Sequence, residues 1–188
     1  MQEDPGKNRT ASGLNFRGIH LTDAGKYAEA NVAFTEALGM DSSMSGIFFN
    51  RAEAKRLSGD FAGAKSDLAE ALQRSPREPD YLNAMGLIAY EDDDFPEALA
   101  WYDKALAAKP DFSQAWNDKG VVHFRKSEYG RARECFEKAI GFDPDSTEAL
   151  YNLVDTYEEL GLKSEKARAL EALKKARILS GGDDEFED

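Results

Sequence analysis

The chain has few of the side chains that carry catalysis and metal binding. Its 188 residues include one cysteine, Cys135, and two histidines, His20 and His123. A single cysteine excludes both an intrachain disulfide and a multi-cysteine metal site. The two histidines are far apart in sequence, so we interpret them as packed or surface side chains. Because no nucleophile–base pattern, glycine-rich phosphate loop or zinc spacing occurs either, we expect no enzyme activity, no catalytic residue, no cofactor and no metal.

Long apolar runs and clustered positive charge are also missing. No apolar stretch approaches the roughly 18–20 residues that span a bilayer, and residues 1–10 lack the apolar centre of a signal peptide. The formal net charge is −12, whereas nucleic-acid binding needs clustered positive charge. We therefore expect a cytoplasmic protein with neither nucleic acid nor membrane as a partner. A mature secreted or periplasmic fragment, whose signal was removed, remains an alternative.

The sequence does contain a repeat of 34 residues that occurs five times. The blocks begin at Ala11, Ser45, Pro79, Ser113 and Thr147. Alanine returns at the twentieth and twenty-seventh positions, glycine or alanine at the eighth, and an aromatic residue or leucine at the twenty-fourth. A period of this length indicates a stack of supersecondary units, which forms long surfaces suited to binding.

Each block has the pattern of two helices joined by a short turn. In the fourth block, apolar and small residues recur at helical spacing, pause at residues 126–128 and resume at Tyr129. Pro144 ends the block because proline has no N–H to donate and disfavours helix before it. The small residues allow close helix approach, and the larger ones fill the remaining space.

These offsets resemble the tetratricopeptide repeat (TPR) family. Within the fourth block, the matching residues are Trp116, Gly120, Tyr129, Ala132, Phe136, Ala139 and Pro144. The resemblance covers residues 11–180 and implies an all-α fold, an α-solenoid of five helix-turn-helix repeats that form a right-handed superhelix. Residues 1–10 are predicted to be a disordered N-terminal segment, and residues 181–188 a disordered acidic tail.

Two departures from the family pattern stand out. The seventh position, usually leucine, is basic in three blocks, at Arg17, Arg51 and Lys119. We expect the stems to pack and the heads to form ion pairs, with Asp67 as the partner of Arg51; the alternative is a basic rim for an acidic ligand. The last block carries three extra residues after Gly161, either in the turn or at the start of its second helix.

The resemblance also implies that the first helix of each unit lines a concave groove. Each unit places an asparagine at its fifth or sixth position, and a row of amides can bind the backbone of an extended peptide. The alternative is that asparagine is simply common there in the family. The predicted peptide-binding residues, which combine this row with apolar and basic neighbours, are Asn15, Phe49, Asn50, Arg56, Asn83, Leu87, Tyr90, Asn117, Val121, Phe124, Arg125, Tyr151 and Asn152.

The apolar members of this set form a stripe that is typical of a partner site. Burial under neighbouring helices or in a symmetric self-contact is the alternative. Arg56 and Arg125 are expected to be isolated cations, each able to take one acidic group.

The sequence thus predicts a protein–protein interaction scaffold that binds a peptide or helix in the groove. The alternative function is self-assembly into a homo-oligomer, through the stack ends, the groove or the acidic tail. Some family members clamp the carboxylate tail of heat-shock chaperones with basic residues at the second, fifth and sixth positions. None of those positions is basic here, so we expect no chaperone-tail binding.

Overall fold

The computed structural model describes residues 10–179, and all of the regular structure within them is α-helical. The helices are α1 (Ala11–Asp23), α2 (Tyr27–Met40), α3 (Ser45–Leu57), α4 (Phe61–Arg74), α5 (Pro79–Glu91), α6 (Phe95–Ala108), α7 (Ser113–Arg125), α8 (Tyr129–Phe142), α9 (Thr147–Glu159) and α10 (Lys163–Leu179). Consecutive helices form helical hairpins, and each odd-numbered helix begins at the first residue of a 34-residue block. The predicted all-α solenoid of five helix-turn-helix repeats is confirmed.

Every hairpin turns through a residue in the left-handed backbone region. This residue is the fifteenth of its repeat: Gly25, Gly59, Asp93, Ser127 and Gly161 have φ angles of 71°, 84°, 58°, 57° and 69°. Glycine adopts this conformation without strain, whereas a side chain there costs energy. The turn geometry is therefore common to all five repeats, although two of them lack glycine.

Side-chain caps explain where several helices begin. The Thr10 hydroxyl accepts a hydrogen bond from the Gly13 N–H at 3.0 Å, and the Asp94 carboxylate accepts one from the Glu97 N–H at 3.0 Å. Such caps satisfy amide groups that have no partner within the helix. Pro96 lies in the first turn of α6, where its missing N–H costs little.

The last repeat departs from the others in its second helix. α10 has 17 residues, whereas α2, α4, α6 and α8 have 14 each. α10 begins at the same repeat position as the other second helices, so the three extra residues extend its start rather than the turn. Ala169, Leu173 and Ala176 are buried, which restores the packing pattern of the earlier repeats.

The chain divides into two compact units, and the boundary between Ile88 and Ala89 falls inside α5. In the first unit, Leu14, Phe34 and Ile47 pack in one core cluster. In the second unit, Phe136, Leu153 and other residues of α8, α9 and α10 pack in another.

The repeated small and aromatic positions are core residues, as predicted. The alanines at the twentieth and twenty-seventh positions are fully buried, as are the larger residues between them: Ala30, Phe34, Ala37, Ala64, Leu68, Ala71, Ala98, Tyr102, Ala105, Ala132, Phe136 and Ala139. Apart from Thr10, the predicted disordered ends, residues 1–10 and 181–188, lie outside the described residues.

Candidate peptide-binding surface

The basic residue at the seventh position of the second repeat is part of a buried ion-pair network. Arg51 binds Asp67 with two hydrogen bonds, Nε to Oδ2 at 2.8 Å and Nη2 to Oδ1 at 2.6 Å. Lys55 Nζ lies 2.8 Å from the same carboxylate, and Asp67 is only 3% exposed. The predicted stem-packed ion pair is therefore confirmed, and this arginine is not a free cation on a rim. Lys119 also pairs with an acid, Asp103, but the Asp103 side chain is largely exposed.

Two pairs of asparagines join consecutive first helices. In the first unit, Asn50 Nδ2 donates a hydrogen bond to Asn15 Oδ1 at 3.0 Å. In the second unit, Asn152 Nδ2 donates to Asn117 Oδ1 at 2.9 Å. In each pair the acceptor is the fifth residue of one repeat and the donor is the sixth residue of the next. The asparagine row thus joins neighbouring repeats.

The two asparagine pairs differ in how many amide donors and acceptors they leave available to a ligand. Asn117 also donates to Glu148 at 2.9 Å and is 2% exposed, so its amide is fully engaged. In the first unit, the Asn15 Nδ2 group and the Asn50 Oδ1 atom make no further hydrogen bond to a described residue. Asn83, on α5, is buried. The five amides that look equivalent in sequence are therefore not equivalent in the structure.

In the first unit, a narrow crevice lies beside the ring of Phe49. That ring stacks on Tyr81 with a centroid distance of 5.0 Å. Phe49, Glu53, Arg56 and Ile88 line the crevice, and the Arg56 guanidinium binds Glu53 at 2.6 Å and 3.0 Å. Leu87, also predicted to bind peptide, is half-buried on α5.

In the second unit, Arg125 lies against two aromatic rings. Its guanidinium carbon is 5.7 Å from the centroid of Tyr90 and 5.8 Å from that of Phe95. Its Nη1 donates to the Tyr90 hydroxyl at 3.2 Å, and its Nη2 lies 3.7 Å from Asp93. The prediction that Arg56 and Arg125 are isolated cations is wrong, because Arg56 pairs with Glu53 on its own helix and Arg125 pairs with Asp93 in the turn between α5 and α6.

A pocket of about 70 Å³ opens between α7 and α9. This α7–α9 pocket is lined by Val121, Phe124, Arg125, Phe136, Asn152 and Asp155. It brings together four of the predicted peptide-binding residues, and Tyr151, a fifth, is 56% exposed nearby on α9. Edge-to-face packing on Tyr129, at 5.3 Å between centroids, orients the ring of Phe124.

Asp155 is a lining residue outside the predicted set. Asp155 is the ninth residue of its repeat, a position that faces the groove by resemblance to the family. It is not among the predicted residues, because one more acid on a helix that holds several does not by itself indicate a binding site. Burial, followed by the nearby charges of Glu158 and Glu159, raises the pKa of the Asp155 carboxyl, while Lys166 opposes the shift. The pocket therefore holds a carboxylate whose charge is poorly compensated.

The histidines and the cysteine occupy packed or surface positions. His20 is exposed and packs edge-on against Phe16, whereas His123 is buried with its Nδ1 2.7 Å from the Glu128 carboxylate. Cys135 is buried, and burial raises the pKa of its thiol. Within residues 10–179, no three acidic, histidine or cysteine side chains group as metal ligands, and no helix is long and apolar enough to cross a bilayer.

Comparisons with known proteins agree with this architecture. One tetratricopeptide repeat family model matches residues 49–111 and a second matches residues 113–146, which together cover just over half of the chain. Human tetratricopeptide repeat protein 36 is 36% identical over 62 residues, which is 33% of this chain and 33% of that protein. The match thus spans a third of the relative's length.

Solved structures share the fold at low sequence identity. The structure of pilF from Pseudomonas aeruginosa has a TM-score of 0.80 and 18% identity, covering 88% of this chain and 76% of that one. YrrB, described as a TPR protein with an unusual peptide-binding site, has a TM-score of 0.59 and 21% identity, covering 89% and 85%. From its helical hairpins and its matches to the family models, the chain belongs to the tetratricopeptide repeat family.

Proposed function

We propose that this protein is an interaction scaffold whose first helices bind an extended peptide segment of a partner protein. The observation that carries the proposal is the α7–α9 pocket, where Val121, Phe124 and Asn152 combine apolar walls with a hydrogen-bonding rim. Such a combination is typical of a site that takes one side chain and fixes its orientation. The likeness to YrrB, whose description names a peptide-binding site, is consistent with this role.

The asparagine pair of the first unit supports an extended ligand. The hydrogen bond from Asn50 to Asn15 uses one donor and one acceptor. The Asn15 amide nitrogen and the Asn50 carbonyl oxygen make no hydrogen bond within residues 10–179, so both are available to a ligand. A peptide group offers one acceptor and one donor in return. The pair is therefore complementary to one peptide group of an extended chain, whatever its side chains are.

The aromatic residues are proposed as the anchors. Exposed or half-buried tyrosine and phenylalanine side chains supply large contact areas at low entropic cost. In the second unit these are Tyr90, Phe124 and Tyr151, and in the first unit Phe49. The proposed role of Asn117 is indirect, because its buried amide holds Asn152 in place.

Selection from a library of short random peptides tests the proposal. We expect the purified protein to enrich a defined set of peptides, and Phe124→Ala and Tyr151→Ala each to weaken their binding about tenfold. Tyr151 is mostly exposed, so its loss tests the surface without disturbing the core. Phe142→Ala is the matched control, because Phe142 is an exposed aromatic residue on a second helix. If no peptides are enriched, or if all three variants bind equally well, the proposal is wrong.

Self-association is the second candidate function. Ile178 and Leu179, at the end of α10, are 61% and 65% exposed, and apolar side chains of this size favour contact with another surface. Light scattering over a range of concentrations distinguishes the two functions. A monomer at every concentration excludes assembly, whereas an oligomer that Ile178→Ser and Leu179→Ser dissociate supports it.

A further inference from the structure

Two side chains of α9, Asn152 and Asp155, present hydrogen-bond acceptors to the α7–α9 pocket. Asn152 donates one of its two Nδ2 hydrogens to Asn117, and its Oδ1 atom accepts no hydrogen bond within residues 10–179, so this oxygen is available to a ligand. Asp155, one turn further along α9, accepts no hydrogen bond and makes no ion pair within residues 10–179. A ligand that satisfies both groups must therefore be a donor.

The cations nearest to Asp155 are already engaged by other acids. Lys166 lies 2.9 Å from the Glu158 carboxylate. Arg125 lines the pocket, but its guanidinium is hydrogen-bonded to Tyr90 and lies beside Asp93. A half-buried carboxylate without a paired cation is unfavourable, and burial accordingly shifts Asp155 toward its neutral form. A cation supplied by a ligand would remove this penalty.

The apolar walls match the other part of such a ligand. Val121, Phe124 and Phe136 are the apolar residues that line the pocket. Lysine and arginine carry aliphatic stems that pack on apolar surface while their charged heads reach polar groups. An aromatic wall adds a favourable contact for a cation.

We propose that the α7–α9 pocket takes a basic side chain, lysine or arginine, of the partner segment. The stem lies between Val121 and Phe124, and the charged head donates hydrogen bonds to the Asp155 carboxylate and to Asn152 Oδ1. This inference rests on the proposed peptide-binding function and specifies the chemistry of its ligand.

The surrounding charge favours a basic ligand over an acidic one. Glu159 is exposed one turn from Asp155 and makes no ion pair with a described residue. The chain as a whole carries a formal charge of −12, which attracts basic segments and accelerates their association. An acidic side chain in this pocket would instead be repelled by the Asp155 carboxylate in its lining.

Four peptide pools with a fixed central residue test the inference. The centre is lysine, arginine, norleucine or glutamate, and the flanking positions are random. We expect the protein to retain the lysine or arginine pool about tenfold better than the norleucine pool, which keeps a stem without the charge, and to reject the glutamate pool. The difference between lysine and arginine shows which head group fits better.

Asp155→Asn removes the charge without changing the shape of the side chain. We expect this variant to lose the preference for basic centres about tenfold while it still binds the norleucine pool. Folding should survive, because burial already disfavours the charged form of Asp155. Glu171→Gln is the control, since it makes the same change in net charge on an exposed acid of α10 that does not line the pocket; this variant should keep the preference of the unaltered protein.

The outcomes separate this inference from the function on which it rests. Binding of all pools without preference, or an equal preference in Asp155→Asn, overturns the basic-side-chain inference and leaves peptide binding intact. If the protein retains no pool at all, the proposed function fails and this inference fails with it.

Discussion

Gly120 lies directly against the ring of Phe136, sixteen residues later in the same repeat. A Cβ atom at Gly120 would be 2.5 Å from Phe136 Cε1, and a Cβ atom at Gly18 would be 2.5 Å from Phe34 Cε1. The second repeat has the smaller Leu68 at the corresponding position, and there the eighth residue is Ala52. The eighth and twenty-fourth positions are therefore matched in size: glycine accompanies phenylalanine, and alanine accompanies leucine.

We predict that Gly120→Ala destabilises the protein and that Phe136→Leu rescues it. The added methyl group overlaps a fully buried ring, and such overpacking costs about 1–3 kcal/mol. Phe136→Leu alone leaves a cavity and should cost about 1–2 kcal/mol. The double variant reproduces the Ala52–Leu68 combination, so its loss of unfolding free energy in urea should be smaller than the sum of the two single losses.

Gly141→Ala is the control in the same repeat. Nothing lies within 4 Å of a Cβ atom at this glycine in the last turn of α8, so alanine should leave the stability unchanged or raise it by up to about 0.5 kcal/mol. If Gly120→Ala behaves like Gly141→Ala, or if the two changes at Gly120 and Phe136 are strictly additive, the size-matching argument is wrong.

The packing was predictable from sequence because it repeats. Alanine at the twentieth and twenty-seventh positions recurs in four blocks, and each of these alanines is buried. The site was less predictable, because specificity lies where the blocks differ. Nothing in the sequence distinguishes Asn117, which is buried and fully bonded, from Asn15, whose amide nitrogen makes no hydrogen bond to another residue of 10–179. Such differences depend on the neighbours that each side chain meets across the helix interface.

The fifteenth position shows a limit of a different kind. Glycine occurs there in three repeats, whereas the other two have Asp93 and Ser127. Because these residue types do not indicate a left-handed conformation, the sequence does not show that all five repeats share it. Local strain in those two turns is tolerated because packing on both sides determines the backbone path. The periodicity of residue types therefore does not reveal every periodic feature of the backbone.

We predict that Ser127→Gly stabilises the protein. Ser127 has a φ of 57°, which costs a residue with a side chain roughly 1 kcal/mol and costs glycine much less. Part of this gain is offset by the greater entropy of glycine in the unfolded chain. The urea midpoint should rise for Ser127→Gly and fall for Gly59→Ala, the reverse change at the same position of the second repeat. A lower midpoint for Ser127→Gly would contradict the prediction.

We predict that Asp67→Asn is strongly destabilising. Asp67 is almost fully buried and is bound by both Arg51 and Lys55, so its neutralisation leaves two cations without their carboxylate. Removing one partner of a buried ion pair costs about 3–5 kcal/mol. Unfolding in urea measures the loss directly.

The matched control for Asp67 is Asp103→Asn. Asp103 binds Lys119 but has a largely exposed side chain, and an exposed pair is worth about 1 kcal/mol or less. The two substitutions make the same chemical change at an ion pair, so they isolate the effect of burial. Equal losses for both variants would show that burial of Asp67 contributes nothing.

We predict that Glu128 makes stability depend on pH in the acid range. The hydrogen bond from His123, followed by that from Lys126, lowers the pKa of the Glu128 carboxyl to about 2. Because the folded pKa lies below the unfolded value near 4.5, the ionised form stabilises the fold. This contribution is fully present above about pH 4.5 and is lost as the pH falls through about 2.

Thermal unfolding of the unaltered protein and of Glu128→Gln, followed from pH 7 to pH 2, measures this contribution. The unaltered protein should unfold at a higher temperature at neutral pH, and the difference should shrink below about pH 4.5 and vanish near pH 2. Glu159→Gln is the control, since this exposed acid has no ion-pair partner among residues 10–179. A difference between the unaltered protein and Glu128→Gln that stays constant across the whole range would mean that the Glu128 charge does not stabilise the turn between α7 and α8.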